Sequence, residues 1–232
     1  MTATVFAASH GTSSLDGQVA VRRLVEQVAA SLPLRVVGCH VDVEQPDVST
    51  AIAQAPNTER AVIVPLLLSA GYHVFVDLAE TADSSPVPAQ VCAALGPDER
   101  LVEVLALRLA EAGYRAGAGV VLAAAGSSDQ RAVDDCLATG RMLATHLSTP
   151  VTVGFLSAAT PSLADAVAQA RDAAPDVPVF TATYLLAPGY FLDLVRRAGA
   201  DHVAAPLLTP DSTPQQLVDI VVDRASAVVQ NP

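Results

Sequence analysis

The chain has 232 residues, 51% of them hydrophobic, so it can fill the core of one large domain or of two ordinary ones. Its net charge is −11, its thirteen basic residues are all arginine, and its acidic residues are scattered, which argues against nucleic acid and anionic membranes as partners. The three cysteines lack CxxC spacing, and their odd number is typical of a reducing, cytosolic compartment. No apolar run reaches membrane-spanning length and no signal-peptide pattern opens the chain. We therefore expect a soluble, cytoplasmic protein.

Short apolar runs alternate with helical patterns along the whole chain. The first run, residues 3–9, precedes a segment with apolar residues at helical spacing, residues 15–32. Seven further runs follow, at residues 34–41, 60–68, 89–94, 118–124, 150–156, 178–186 and 201–207. This alternation predicts an α/β fold with two four-stranded parallel sheets flanked by helices. Because the two sets of strands are separated by EAGYRAGAG at 111–119, we predict domains over residues 1–116 and 117–232.

The two sets of strands read as one sequence copied twice. When Gly11 is aligned with Gly126, the same offset places QPDVSTAIAQA at 45–55 over TPSLADAVAQA at 160–170. Further matches follow in the same order, including a Gly-Tyr pair after the third strand of each set. An internal repeat of this kind predicts that the second domain repeats the fold of the first.

Two histidines distinguish the copies. His10 follows the first predicted strand and His73 follows the third, whereas the aligned residues of the second copy are Ala125 and Phe191. Since ligands bind at the carboxyl ends of the strands in open α/β sheets, we expect the two imidazoles to face one cleft. There they are suited to bind a divalent metal or to move protons near neutral pH.

An acidic residue completes this candidate site. Asp42 and Glu44 lie two residues apart after the second strand, and on a continued strand they would share one face. Asp42 is the stronger candidate because its counterpart is Ser157, and Glu44 is interpreted as an ordinary surface charge. We therefore predict His10, Asp42 and His73 as both the catalytic and the metal-binding residues, a set short of a closed four-ligand cage.

Two motifs resemble the class II chelatases, which insert a metal into sirohydrochlorin. SHGT at 9–12 precedes a helix, as in that family, and VPLLLSAGYHVFVDL at 64–78 resembles the phrase that ends in the family's second active-site histidine. An acid four residues before a proline is also typical, here Asp42 before Pro46. The resemblance covers the whole chain, since longer members carry two fused copies of a half-size homodimeric form. It implies an active site in the first copy, a degenerate second copy related to it by a pseudo-twofold axis, and a monomer with this internal pseudo-dimer.

The resemblance also implies a tetrapyrrole substrate and no prosthetic group, with a divalent metal, Fe²⁺ before Co²⁺, as the second substrate. Imidazole and carboxylate accept both ions, and iron is favoured because siroheme is needed more widely than cobalamin. Hydroxyls and backbone N–H groups at the first helix are expected to meet the substrate's carboxylates, and the apolar loop after the third strand suits a flat ring. The predicted substrate-binding residues are Ser9, Gly11, Thr12, Ser13, Ser69, Ala70, Gly71 and Tyr72.

The chain departs from the family pattern at three positions. Ser13 and Phe75 stand where basic residues are frequent, and Asp42 stands where glutamate is common. One alternative function is a metal-binding or metal-delivery protein that does not consume sirohydrochlorin. A histidine phosphatase is a more remote alternative, because Ser9 occupies the place of the arginine before the nucleophilic histidine and no second His-Gly pair occurs.

Overall fold

The computed structural model describes residues 3–69, 71 and 76–230, in which strands and helices alternate. The elements in chain order are β1 (Ala3–Ser9), α1 (Leu15–Ser31), β2 (Arg35–His40), α2 (Val48–Gln54), β3 (Arg60–Pro65), α3 (Leu78–Asp83), β4 (Ala89–Val91), α4 (Glu99–Glu111), β5 (Gly119–Ala124), α5 (Gln130–Leu147), β6 (Val151–Phe155), α6 (Leu163–Ala173), β7 (Val179–Tyr184), α7 (Tyr190–Arg197), β8 (His202–Val203) and α8 (Gln215–Gln230). Within these residues, no helix combines the length and apolar character needed to cross a bilayer.

The strands form two sheets of the same topology. Their orders are β2-β1-β3-β4 and β6-β5-β7-β8, and all pairings are parallel. Each predicted apolar run contains one strand, so the predicted α/β fold with two four-stranded parallel sheets is confirmed. β1 and β5 each pair with a strand on both sides, so they lie inside their sheets, and nearly all of their residues are buried.

The chain packs as two compact units, of which the first comprises Met1–Leu95 and Pro210–Pro232. On one face of its sheet, Phe6 and Ile63 form a core with Val48 and Ile52 of α2 and Leu78 of α3. α1 and α8 contact each other and the strands β2 and β3. The last helix of the chain is therefore part of the unit that contains the first sheet.

The second unit comprises Gly96–Thr209. Val121 and Val179 form its core with Leu163 and Val167 of α6 and Val195 of α7, while α4 and α5 contact each other and the strands β7 and β6. α4 follows the first sheet in the sequence but packs in the second unit. The predicted division between residues 116 and 117 follows the repeat in the sequence, whereas packing divides the chain at other positions.

Backbone contacts in the two sheets repeat at the offset seen in the sequence. After β2, an isolated bridge joins His40 and Asp47, and after β6 the corresponding bridge joins Phe155 and Ser162. The second member of each bridge is also the residue that caps the following helix, α2 or α6. The loop after the second strand is thus built in the same way in both copies.

Candidate metal and substrate site

His10 lies where the sequence predicts it, between the end of β1 at Ser9 and the start of α1 at Leu15. Its side chain is exposed at the carboxyl edge of the first sheet. The helix begins here because Ser14 caps it, its Oγ accepting the N–H of Gly17 at 3.3 Å. His10 therefore lies at the edge of the sheet where ligands bind in open α/β folds.

Asp42 and Glu44 do not lie on a strand, so the prediction that they share a strand face is wrong. β2 ends at His40, and residues 41–46 form a series of bends. Val43 has a φ of 43°, in the left-handed region that a β-branched residue rarely adopts. Because the chain reverses there, Asp42 is exposed while Glu44 is half-buried.

The turn after β1 and the turn after β2 are joined by backbone hydrogen bonds. The N–H of Val41 donates to the carbonyl of Ser9 at 2.8 Å, and the N–H of Asp42 donates to the carbonyl of His10 at 3.1 Å. Gly11 permits this approach, because it has a φ of 92° and a Cβ there would lie 2.8 Å from the carbonyl oxygen of Asp42. The structure thus brings the backbones of two predicted metal ligands, His10 and Asp42, side by side.

Glu44 makes a specific contact, so its interpretation as an ordinary surface charge is wrong. Its Oε1 accepts the N–H of Thr12 at 2.8 Å and lies 3.8 Å from Nδ1 of His40. The same Nδ1 is hydrogen-bonded to Oγ of Ser9 at 2.9 Å, and Ser9 is only 3% exposed. Sequence reasoning missed His40, although a histidine ending an apolar strand where the other copy has Phe155 was a usable signal.

Most polar groups at the start of α1 form hydrogen bonds within the protein. The N–H of Ser14 donates to Oγ1 of Thr12 at 3.1 Å, and the carbonyl of Thr12 accepts Nε2 of Gln18 at 2.9 Å. Since the N–H of Thr12 is also bound by Glu44, the expectation of free N–H groups does not hold for Thr12 and Ser14. The side chain of Ser13 is exposed.

The segment after β3 is described only in part. β3 pairs in parallel with β1, with Pro65 opposite Ala8, so the residues that follow it reach the same edge of the sheet as His10. Ser69 and Gly71 are half-buried, and the carbonyl of Ser69 accepts the N–H of Gly71 at 3.2 Å. The residues outside the described part include Ala70, Tyr72, His73 and Phe75.

His10 and Asp42 are the described members of the predicted ligand set. Over residues 3–69, 71 and 76–230, no three His, Cys, Asp or Glu side chains come together as a metal site. Burial raises the pKa of the Cys39 and Cys92 thiols to about 12, so both are protonated at neutral pH. Both cysteines are buried, whereas the imidazole of His10 and the carboxylate of Asp42 are exposed at this edge.

The second copy keeps this backbone without the ionisable side chains. The N–H of Ser157 donates to the carbonyl of Ala125 at 3.0 Å, as Asp42 does to His10. Gly126 has a φ of 88° and Ala158 a φ of 53°, which match Gly11 and Val43. The geometry of the two turns is thus a property of the repeat, whereas the imidazole and the carboxylate at these positions belong to the first copy.

Solved structures with this fold include two of SirB from Bacillus subtilis. One is SirB with Fe³⁺, at 19% identity and a TM-score of 0.83 over 100% of this chain and 98% of that one. The other is the sirohydrochlorin chelatase SirB from subspecies spizizenii in complex with cobalt, at 18% identity and a TM-score of 0.80 over 100% and 97%. DR2241 from Deinococcus radiodurans, a multi-domain protein with structural similarity to chelatases, matches at 15% identity and a TM-score of 0.67 over 97% of this chain and 54% of its own.

Sequence comparison gives a family but no individual relative. A search of curated protein sequences finds no match to this chain. The CbiX family model matches twice, over residues 4–112 and 119–207, once for each four-stranded sheet. Because these two matches cover most of the chain and agree with the repeat and the fold, the chain belongs to the CbiX family.

Proposed function

We propose that the protein is a metal chelatase that inserts a divalent metal into sirohydrochlorin, with Fe²⁺ as the preferred ion and Co²⁺ next, for siroheme or cobalamin synthesis. The observation that carries this proposal is the pair His10 and Asp42 on two hydrogen-bonded turns, where the second copy has Ala125 and Ser157. Membership of the CbiX family supports it. Further support comes from the two SirB structures, which contain Fe³⁺ and cobalt.

The chemistry requires groups that bind a cation briefly and accept protons. Metal insertion replaces two pyrrole protons with one divalent cation, which must first lose most of its water. His10 offers an imidazole nitrogen and Asp42 a carboxylate oxygen, and both side chains are exposed at the edge of the sheet. His73 is the proposed third group. A set of two or three ligands holds the metal loosely enough to release it into the macrocycle, which a closed four-ligand site does not.

The macrocycle also needs an apolar surface beside the metal. Val43 follows Asp42 directly, its side chain is 57% exposed, and its Cβ lies in the turn that Gly11 approaches. Leu15 opens α1 and is 76% exposed. We assign these two side chains as apolar contacts for the ring, next to the predicted substrate-binding residues Ser13, Ser69 and Gly71.

The test is anaerobic turnover of sirohydrochlorin with equal concentrations of free Fe²⁺, Co²⁺ and Ni²⁺, followed by the absorption spectrum of the product. His10→Ala and His73→Ala should each remove most of the activity, and Asp42→Asn should slow it. Because His10 and Asp42 lie in turns at the edge of the sheet, their variants should remain folded. His146→Ala, which removes an exposed histidine in the last turn of α5, is the matched control. Turnover near the wild-type rate in His10→Ala would contradict the assigned site.

Metal stoichiometry tests the asymmetry between the copies. Titration calorimetry with Co²⁺ should give one site per chain, lost in His10→Ala. Two equivalent sites would contradict an active first copy and a degenerate second one. Binding of one metal without any consumption of sirohydrochlorin would instead favour the metal-delivery function.

A further inference from the structure

A partly buried polar cluster lies beneath the two turns, and we name it the turn network: Ser9, Thr12, His40 and Glu44. Its contacts are Ser9 Oγ to His40 Nδ1 at 2.9 Å, His40 Nδ1 to Glu44 Oε1 at 3.8 Å, and Thr12 N–H to Glu44 Oε1 at 2.8 Å. Ser9 and Thr12 flank the turn that carries His10, while His40 and Glu44 flank the turn that carries Asp42. Through these side chains, each end of one turn is fixed to an end of the other.

The fold does not require this polar cluster. The equivalent residues of the second copy are Ala124, Ser127, Phe155 and Ala159. The backbone is nevertheless the same, since the N–H of His40 donates to Pro46 and that of Phe155 to Pro161, both at 3.0 Å. In the second copy an aromatic ring and two methyl groups take the places of His40, Ser9 and Glu44, and the hydroxyl of Ser157 donates to the carbonyl of Ala125 at 3.0 Å.

Keeping polar groups in this place has a cost that the second copy avoids. A hydroxyl or carboxylate removed from water must find partners, and losing one of a buried pair is destabilising. Ser9 is 3% exposed and Glu44 is half-buried. Because the second copy builds the same backbone without an imidazole or a carboxylate at these positions, stability alone does not account for His40 and Glu44 in the first copy.

The cluster is also not the relay of a serine hydrolase. In such a relay the serine and the acid face opposite nitrogens of the imidazole. Here Ser9 Oγ and Glu44 Oε1 both face Nδ1 of His40, and the Ser9 hydroxyl is shielded from solvent. The geometry therefore suits holding the backbone and not attacking a substrate.

We propose that His40 and Glu44 are positioning residues, which fix the turns so that His10 and Asp42 meet one metal ion. Glu44 immobilises the N–H of Thr12, two residues after His10, and His40 immobilises Ser9, the residue before it. Residues that orient metal ligands from behind contribute strongly to affinity although they never touch the metal. This proposal rests on the proposed function, because it concerns the same two ligands.

The experiment measures Co²⁺ affinity of the full chain by titration of the metal alone. Glu44→Ala and His40→Phe install the side chains that the second copy carries at these positions, so both should fold. We expect each to weaken Co²⁺ binding by about tenfold or more. Glu44→Gln keeps an oxygen that accepts the N–H of Thr12 and should bind Co²⁺ nearly as the wild type does. Glu26→Ala, on the exposed side of α1, is the control for loss of an acidic side chain.

A second measurement separates positioning from a general loss of stability. Amide hydrogen exchange at Thr12 should accelerate in Glu44→Ala and not in Glu44→Gln, while exchange in the core strand β1 stays unchanged. A Co²⁺ affinity equal to that of the wild type in both folded Glu44→Ala and folded His40→Phe would overturn the proposal. If Glu44→Ala fails to fold, His40→Phe decides the matter, and a Co²⁺ affinity equal to that of the wild type in this variant would overturn the proposal.

The outcomes for this proposal and for the proposed function are distinguishable. If His10→Ala loses Co²⁺ and the two positioning variants keep full affinity, the turn network has no positioning role and the chelatase proposal stands. If the wild type binds Co²⁺, the variants weaken it, and sirohydrochlorin is never metallated, the positioning role stands and the chelatase proposal fails. Unchanged Co²⁺ binding in His10→Ala would overturn both.

Discussion

Replacement of Gly11 by alanine probes the contact on which the candidate site depends. Gly11 has a φ of 92°, and an added Cβ would meet the carbonyl oxygen of Asp42 at 2.8 Å and the N–H nitrogen of Glu44 at 3.1 Å. Both are backbone atoms, so the clash cannot be relieved by rotating a side chain. The turns that carry His10 and Asp42 must move apart.

The free-energy cost of Gly11→Ala has two parts, the backbone conformation and the close contact, and replacing a second glycine separates them. Gly113 has a φ of 90°, but nothing lies within 4 Å of a Cβ added there. Gly113→Ala should therefore cost only the backbone part, about 1–2 kcal/mol. Gly11→Ala adds the cost of forcing extra volume into a packed contact, about 1–3 kcal/mol, for a total of about 2–5 kcal/mol.

Urea unfolding measures the stability of both variants, and Co²⁺ titration measures the site. Gly11→Ala should lower the free energy of unfolding more than Gly113→Ala does, and it alone should weaken Co²⁺ binding. Equal losses of stability in the two variants, with unchanged Co²⁺ affinity, would refute the argument that close approach of these turns builds the site.

Three further predictions rest on buried side chains. Burial raises the pKa of the Cys39 and Cys92 thiols to about 12, so both should resist alkylation in the native protein at about pH 8 and react after unfolding. Rapid labelling of the native protein would contradict their burial. An ordinary thiol has a pKa of 9.0, so the stabilisation that comes from keeping these thiols protonated in the folded state is fully present below pH 9. It is lost as the pH rises from 9 towards 12. The midpoint of urea unfolding, measured at increasing pH, tests this loss. A fragment of residues 1–116 lacks α8, whose buried residues include Leu217 and Ile220, so the surface that α8 covers would be exposed. Light scattering should therefore show that the fragment aggregates or self-associates. A soluble monomeric fragment would contradict this prediction.

Much of the fold could be read from local patterns. Each strand lies within an apolar run because a parallel sheet that helices cover on both faces presents apolar residues to both of them. The position of His10 followed from the same pattern, since the residue after a parallel strand lies at the ligand-binding edge. The offset that placed Ala125 opposite His10 and Ser157 opposite Asp42 matches equivalent backbone hydrogen bonds.

The contacts of the site were harder to predict because they are not local. Val43 is β-branched, and nothing in its neighbours indicates a positive φ; the turn is held by the approach of Gly11, far away in the sequence. The partners of Glu44 and His40 are likewise about thirty residues away, at Thr12 and Ser9. Sequence spacing alone cannot reveal such pairs.

The sequence by itself determined that strands alternate with helices, that the pattern occurs twice, and which copy carries the imidazole and carboxylate. Tertiary structure alone decided which sheet is covered by the last helix of each copy, α4 or α8. α4 buries Leu101, Leu105 and Leu109, and α8 buries a comparable row of apolar side chains, yet α4 packs in the second unit and α8 in the first. The apolar periodicity of a helix fixes which of its faces is buried. It does not specify the partner, because any sheet with a complementary apolar face removes the same surface from water.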